Sequence, residues 1–165
     1  MVFFLLEMFL LGIFATVFMD VLAKVVVKKG FVSAVVESKY IGRWVLHMLK
    51  GKFTHGDISL APAWKNEERV SVVTHYLIGI GLAGVYLLLE MNFPVMREQL
   101  WMPFAFGVAT ILLPWFWLFP SIGIGYVASK SPRRRDCIIL SIINHANFGI
   151  GMTIWVVVFR PFFAW

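Results

Sequence analysis

The chain has 165 residues, 60% of them hydrophobic and 15% charged, with a formal net charge of +6 and a mean hydropathy of +0.82. Seven Trp and sixteen Phe beside so few charges are more apolar surface than a water-soluble domain can hide, and lipid is the solvent that fits. The one cysteine, Cys137, excludes an intramolecular disulfide and any metal site on paired thiolates. The basic residues sit beside apolar runs, where membrane orientation and anionic headgroups account for them, so nucleic acid is set aside as a partner.

The first apolar stretch, 2–27, is long enough to cross a ~30 Å hydrocarbon core at ~1.5 Å per residue. It lacks the basic start and small-residue cleavage site of a signal peptide and is expected to be a retained helix. Gly12, Thr16 and Asp20 recur every four residues, a face suited to another helix rather than to lipid. Asp20 lies toward the following loop. Either Lys24, one turn on, pairs with it, or the carboxylate has a function. Glu7, on another face, is expected simply to reach the membrane interface.

In the long loop that follows, Ile41, Trp44, Val45, Met48 and Leu49 fall at spacings of three and four, while Arg43, His47 and Lys50 share the opposite face. This predicts an interfacial amphipathic helix ended by Gly51. From Thr54 to Glu68 the residues Gly56, Asp57, Pro62 and Asn66 predict turns. A second span is expected at 72–89, with His75 near its start and a small-residue stripe of Gly79, Ala83 and Gly84.

The third span, 100–119, carries no charge. Pro103 and Pro114 each remove a backbone donor, a kink is expected near Trp115, and Pro120 is expected to stop the helix. The run from Phe119 to Tyr126 then predicts unwound or re-entrant backbone, tolerated at membrane depth only where protein or water satisfies it. Ser131 as a cap, Pro132 in the first turn and Asp136 predict the start of a fourth span, 138–159. This span carries a stripe of Asn144, Asn147, Phe148 and Gly151. Interface anchoring accounts for most of Trp101, Trp115, Trp117 and Trp155.

Nine Lys or Arg fall between Lys24 and Arg69, and Lys130, Arg133, Arg134 and Arg135 add four, against only Arg97 and Arg160 on the other side. By the positive-inside rule both basic loops face the cytoplasm and both termini lie outside. The fold class expected is an all-α membrane protein: one integral membrane domain over 1–165, a four-transmembrane-helix bundle with an interfacial amphipathic helix in the long first cytoplasmic loop.

All four histidines, His47, His55, His75 and His145, fall toward the cytoplasmic side of this topology. Imidazole ligates metals and haem and titrates near neutral pH, so four in one leaflet can form a site, with His75 and His145 the metal candidates. The alternative is that interfacial histidines meet headgroups or water while His145 bonds to Asn144, Asn147, Thr16 or Ser71. No catalytic triad, phosphate loop, carboxylate pair or dinucleotide fingerprint can be assembled, so an enzyme is the least favoured class.

Gly12 to Asp20, Gly42 to Met48, Gly51 to His55, His75-Tyr76 with Gly79-Ile80, Ala128-Ser129 before Pro132, and His145 with Phe148-Gly149 together resemble the bacterial inner-membrane family catalogued as domain of unknown function 2938. The resemblance implies a four-helix membrane protein of bacteria, and that Asp20, His47, His55, His75 and His145 fall in the recognisable motifs. It implies no activity. The expectation is a ligand-binding or accessory subunit of a membrane complex, or a homo-oligomer, in contact with membrane lipids. Its site would lie near the cytoplasmic leaflet, formed by Asp20, Arg43, His47, His55, His75, His145 and Asn147, with lipid, quinone or haem as ligand. The alternative is a small transporter or proton-coupled permease using Asp20 and the histidines.

Overall fold

The computed structural model describes residues 1–33 and 36–162. Among these, four helical segments are long and apolar enough to cross a membrane. The first is α1 (Val2–Lys28). After it, α2 (Ser38–Met48) lies within the long loop, and α3 (Glu67–Asn92) is the second span. A short α4 (Pro94–Glu98) leads to the third span, Met102–Ser121. This span is composite: α5 (Met102–Ala109), a π-helical turn at Pro114–Leu118, and α6 (Phe119–Ser121). The fourth contains α7 (Arg134–Ile154), prolonged by a second π-helical turn, Trp155–Phe159.

The break in the third span has an identifiable cause. Pro114 has no N–H to offer the carbonyl four residues back, which belongs to Thr110, and its ring crowds that carbonyl. The helix accordingly ends at Ala109 and turns at Thr110 and Ile111 before helix resumes, with the Leu113 N–H taking up the Thr110 carbonyl. Pro120 does not stop the helix at once; it runs to Ser121. Beyond it the irregular backbone is satisfied by the first loop: the N–H of His55 donates to Ser121 O (2.8 Å) and that of Ile58 to Ile122 O (3.1 Å). Gly123 has φ +92°, and a side chain there would strike the carbonyl of Gly56, so this docking requires glycine.

The spans pack in the order α5, α7, α1, α3, with α2 laid against α3. Close approach is set by small residues. A methyl on Gly12 would hit the backbone of Ile80 in α3, and one on Gly107 would hit Gly149 in α7. The face of Gly12, Thr16 and Asp20 therefore packs against another helix as its spacing predicts. α3 and α5, at the two ends of the arc, pack far less. Their main contact is between the Tyr86 and Phe106 rings, centroids 5.3 Å apart. A central layer of Leu11, Ala15, Met19, Ala83, Tyr86, Leu87, Phe148 and Met152 is fully or almost fully buried.

α2 starts three residues earlier than its apolar pattern suggests, and Gly51 stops it with φ +84°. Its polar face is not turned to water, contrary to expectation. Arg43 and His47 are buried because the loop folds back over them. The Arg43 guanidinium forms a bidentate pair with Glu67 (2.9 Å and 2.9 Å), and its remaining nitrogen donates to the carbonyls of Ser59 (2.9 Å) and Ala61 (3.1 Å). One buried cation thus holds α2, the loop and the start of α3 together, as the planar five-donor fork of arginine allows.

Candidate functional site

On α1, Asp20 lies eight residues before the helix end, and on α3 His75 lies eight residues after the start. Both are therefore about 12 Å in from the basic end of the bundle at ~1.5 Å per residue. The Nε2–H of His75 donates to Asp20 Oδ1 at 3.0 Å, and the Tyr76 hydroxyl donates to Oδ2 at 3.3 Å. Asp20 is thus paired across helices; the expected partner one turn on, Lys24, forms no ion pair with it among the described residues. The Asp20 and His75 side chains remain 29% and 42% exposed.

His145 enters from α7, and none of the partners expected for it is the one it has. Its Nδ1 lies 2.7 Å from the Thr110 hydroxyl, which donates its own hydrogen to Gly107 O at 2.6 Å. A hydroxyl has one hydrogen, so Nδ1 must be the donor in this contact, and neutral His145 keeps its lone pair on Nε2. Thr110 is placed by the end of α5, where its N–H still donates to Phe106 O at 3.1 Å. His75 and His145 therefore each have one ring nitrogen fixed by a partner and, among the described residues, the other without one, an arrangement that can orient a histidine toward a ligand. Asn144 Oδ1 is buried without a hydrogen-bond partner, and Asn147 on the same helix is half-buried with no side-chain hydrogen bond among the described residues.

His47 and His55 form a second pair, rings 5.0 Å apart, under the folded loop. His47 Nε2 donates to Pro62 O at 3.0 Å. His55 is buried with neither ring nitrogen hydrogen-bonded. Burial first, then the charges of Lys52 and His47, push its pKa down, so it is neutral at pH 7. His47 and His55 thus face each other under the loop, while His75 is held by Asp20 and His145 by Thr110. Among the described residues no group of three or more His, Cys, Asp or Glu side chains is placed to hold a metal ion.

At the opposite end of the bundle the sequence expectation for Glu7 fails. Glu7 is fully buried, and its Oε1 accepts from Arg160 Nε at 2.9 Å and Trp155 Nε1 at 3.4 Å. Arg160 also donates to Glu90 Oε1 at 2.8 Å. Trp155 is accordingly an internal donor and no interface anchor, whereas Trp101 and Trp117 are exposed. Glu90, Arg160, Thr110 and Tyr76 were not singled out by spacing. The available signal was that two acidic residues and one Arg fall at the same end of three apolar spans, where unpaired charge is costly.

The profile of the family described as "Protein of unknown function (DUF2938)" matches residues 9–159. The chain belongs to that family. Its match covers every residue of the Asp20, His75, Tyr76, Thr110 and His145 constellation, as well as Glu90. Glu7 and Arg160 lie just outside the matched range. No curated protein and no solved structure matches the chain.

Proposed function

We propose that this DUF2938 protein binds a hydrogen-bonding amphiphile of the quinone or lipid class in an intramembrane cleft at its basic end. In this role it serves as a ligand-binding or accessory subunit of a larger bacterial inner-membrane assembly. The observation that carries the proposal is the part-exposed Asp20–His75 pair at span depth. A carboxylate inside an apolar span is costly unless it has work to do or a partner. Here both carboxylate oxygens accept from α3, yet the pair keeps part of its surface open, where a ligand can reach it. The open nitrogens of His75 and His145 suit a hydroxyl or carbonyl group. The excess of Lys and Arg in the two loops, thirteen against two, supports a cytoplasmic position for this end and periplasmic termini.

The test is an absorption spectrum of protein purified in mild detergent, with mass spectrometry of the organic extract. Near-stoichiometric quinone or lipid that is lost in Asp20→Asn, His75→Ala and His145→Ala supports the proposal. A Soret band in place of it makes haem the ligand; an empty extract and a colourless protein sink the proposal. A second reading, proton-coupled transport, is favoured by one observation, the broken third span, since discontinuous helices mark many transport sites. Substrate-dependent flux in proteoliposomes abolished by Asp20→Asn would establish it instead.

A further inference from the structure

The third span ends at Ser121 and α7 begins at Arg134, so the segment between them lies at the level of the membrane surface on the basic end. There the docked loop, α2 and this segment enclose a cavity of about 320 Å3, at the small end of the ~300–1,000 Å3 typical of ligand sites. It is lined by two cations, Lys130 and Arg133, by Tyr40 and Ser59, and on an apolar side by Ile122. Among the described residues neither cation pairs with a carboxylate. The acid in the lining, Asp57, accepts from both the hydroxyl and the N–H of Ser59, the latter at 2.8 Å. The start of α7, a helix of 21 residues, has no side-chain cap. Ser131, expected to cap it, instead accepts from the Arg133 N–H (3.3 Å) and the Cys137 thiol (3.4 Å).

We infer that this cavity binds a phosphate group, carried by an anionic phospholipid headgroup or present as free phosphate. The two unpaired cations supply what phosphate oxygens accept from. The apolar side at the membrane surface suits the glycerol end of a lipid. The site is distinct from the Asp20 and His75 cleft and does not depend on it.

The experiment uses the full chain in nanodiscs containing phosphatidylglycerol and phosphatidylcholine, with retained lipid read by native mass spectrometry and inorganic phosphate titrated as competitor. The double variant Lys130→Ala/Arg133→Ala is expected to weaken retention of phosphatidylglycerol by about tenfold or more, from the attraction lost with two cations. Ser59→Phe, which fills the cavity and leaves the charge unchanged, is expected to do the same, while Arg135→Ala, which removes a nearby charge outside the lining, is expected to leave retention near wild type. Retention that resists inorganic phosphate assigns the site to lipid; binding of inorganic phosphate with no preference for phosphatidylglycerol assigns it to the free anion. Equal losses in Arg135→Ala and the double variant, no effect of Ser59→Phe, or binding of neither probe overturns the inference.

Discussion

Glu7 and Asp20 both place a carboxylate on α1, about 20 Å apart along its axis at ~1.5 Å per residue, yet their surroundings differ in kind. Glu7 is 0% exposed and shares Arg160 with Glu90, while the Trp155 indole adds a further donor. Those contacts tie together the ends of α1, α3 and the fourth span. Asp20 has a histidine and a tyrosine, both from α3, and all three groups keep part of their surface open. Both clusters solve the problem of charge in an apolar span. The first is closed to its surroundings, although Arg160 Nη2 is buried there without a hydrogen-bond partner among the described residues, which makes it a clamp, and the part-open surface of the second is what a ligand can use.

The contrast implies unequal sensitivity. Arg160→Ala leaves two buried carboxylates without their shared cation, and breaking a buried pair by removing one partner destabilises by about 3–5 kcal/mol. The unfolding midpoint in detergent should drop steeply. A midpoint near wild type would mean that the two clusters are not different in kind. Thr110→Val should have a smaller effect, about 1–3 kcal/mol, because it leaves the Nδ1–H of His145 unpaired. Nitrogen NMR should show mixed His145 tautomers in this variant but the native one in Thr110→Ser. Asp20→Asn keeps the shape of the side chain and one acceptor oxygen for the α3 donors, and should cost about 0.5–1.5 kcal/mol, the worth of one hydrogen bond. Stability should change little while ligand is lost from the extract, and a stability loss rivalling that of Arg160→Ala would make Asp20 a second clamp.

What the sequence made legible follows the range of the interaction involved. Composition and run length identify the four spans because crossing a membrane is a property of each segment alone. Pro114 predicts its own break because proline acts within one turn. The face of Gly12, Thr16 and Asp20 is visible as a period, but its occupant is not. Lys24 is near Asp20 in the chain, whereas His75 is 55 residues away. Arg43 and Glu7 fail for the same reason in a stronger form. A charge on a helix is expected to face water, and nothing local announces Glu67, 24 residues from Arg43, or Arg160, 153 residues from Glu7. Helix periodicity gives which residues share a face, and only tertiary packing decides what that face meets.

His55 extends the comparison to pH, with the smallest effect. It is buried and neutral beneath the loop, and its neighbours oppose a positive charge: Lys52 and His47 carry or can acquire one, and neither ring nitrogen has an acceptor. Its folded pKa lies below the ordinary value near 6.5. The unfolded or undocked loop therefore binds the proton more readily, and docking is strongest above that value and weakens as pH falls below it. Hydrogen exchange at the backbone of His55 and Ile58, which donate to Ser121 and Ile122, should report this, with protection lower at pH 5.5 than at pH 7.5 after correction for intrinsic rates. His55→Phe removes the titrating group while preserving an apolar ring, so its protection should change much less over the same range. If wild type and His55→Phe respond alike, His47 rather than His55 governs the docking. The Glu7 and Arg160 clamp, closed to water, should show no such opening between the two pH values.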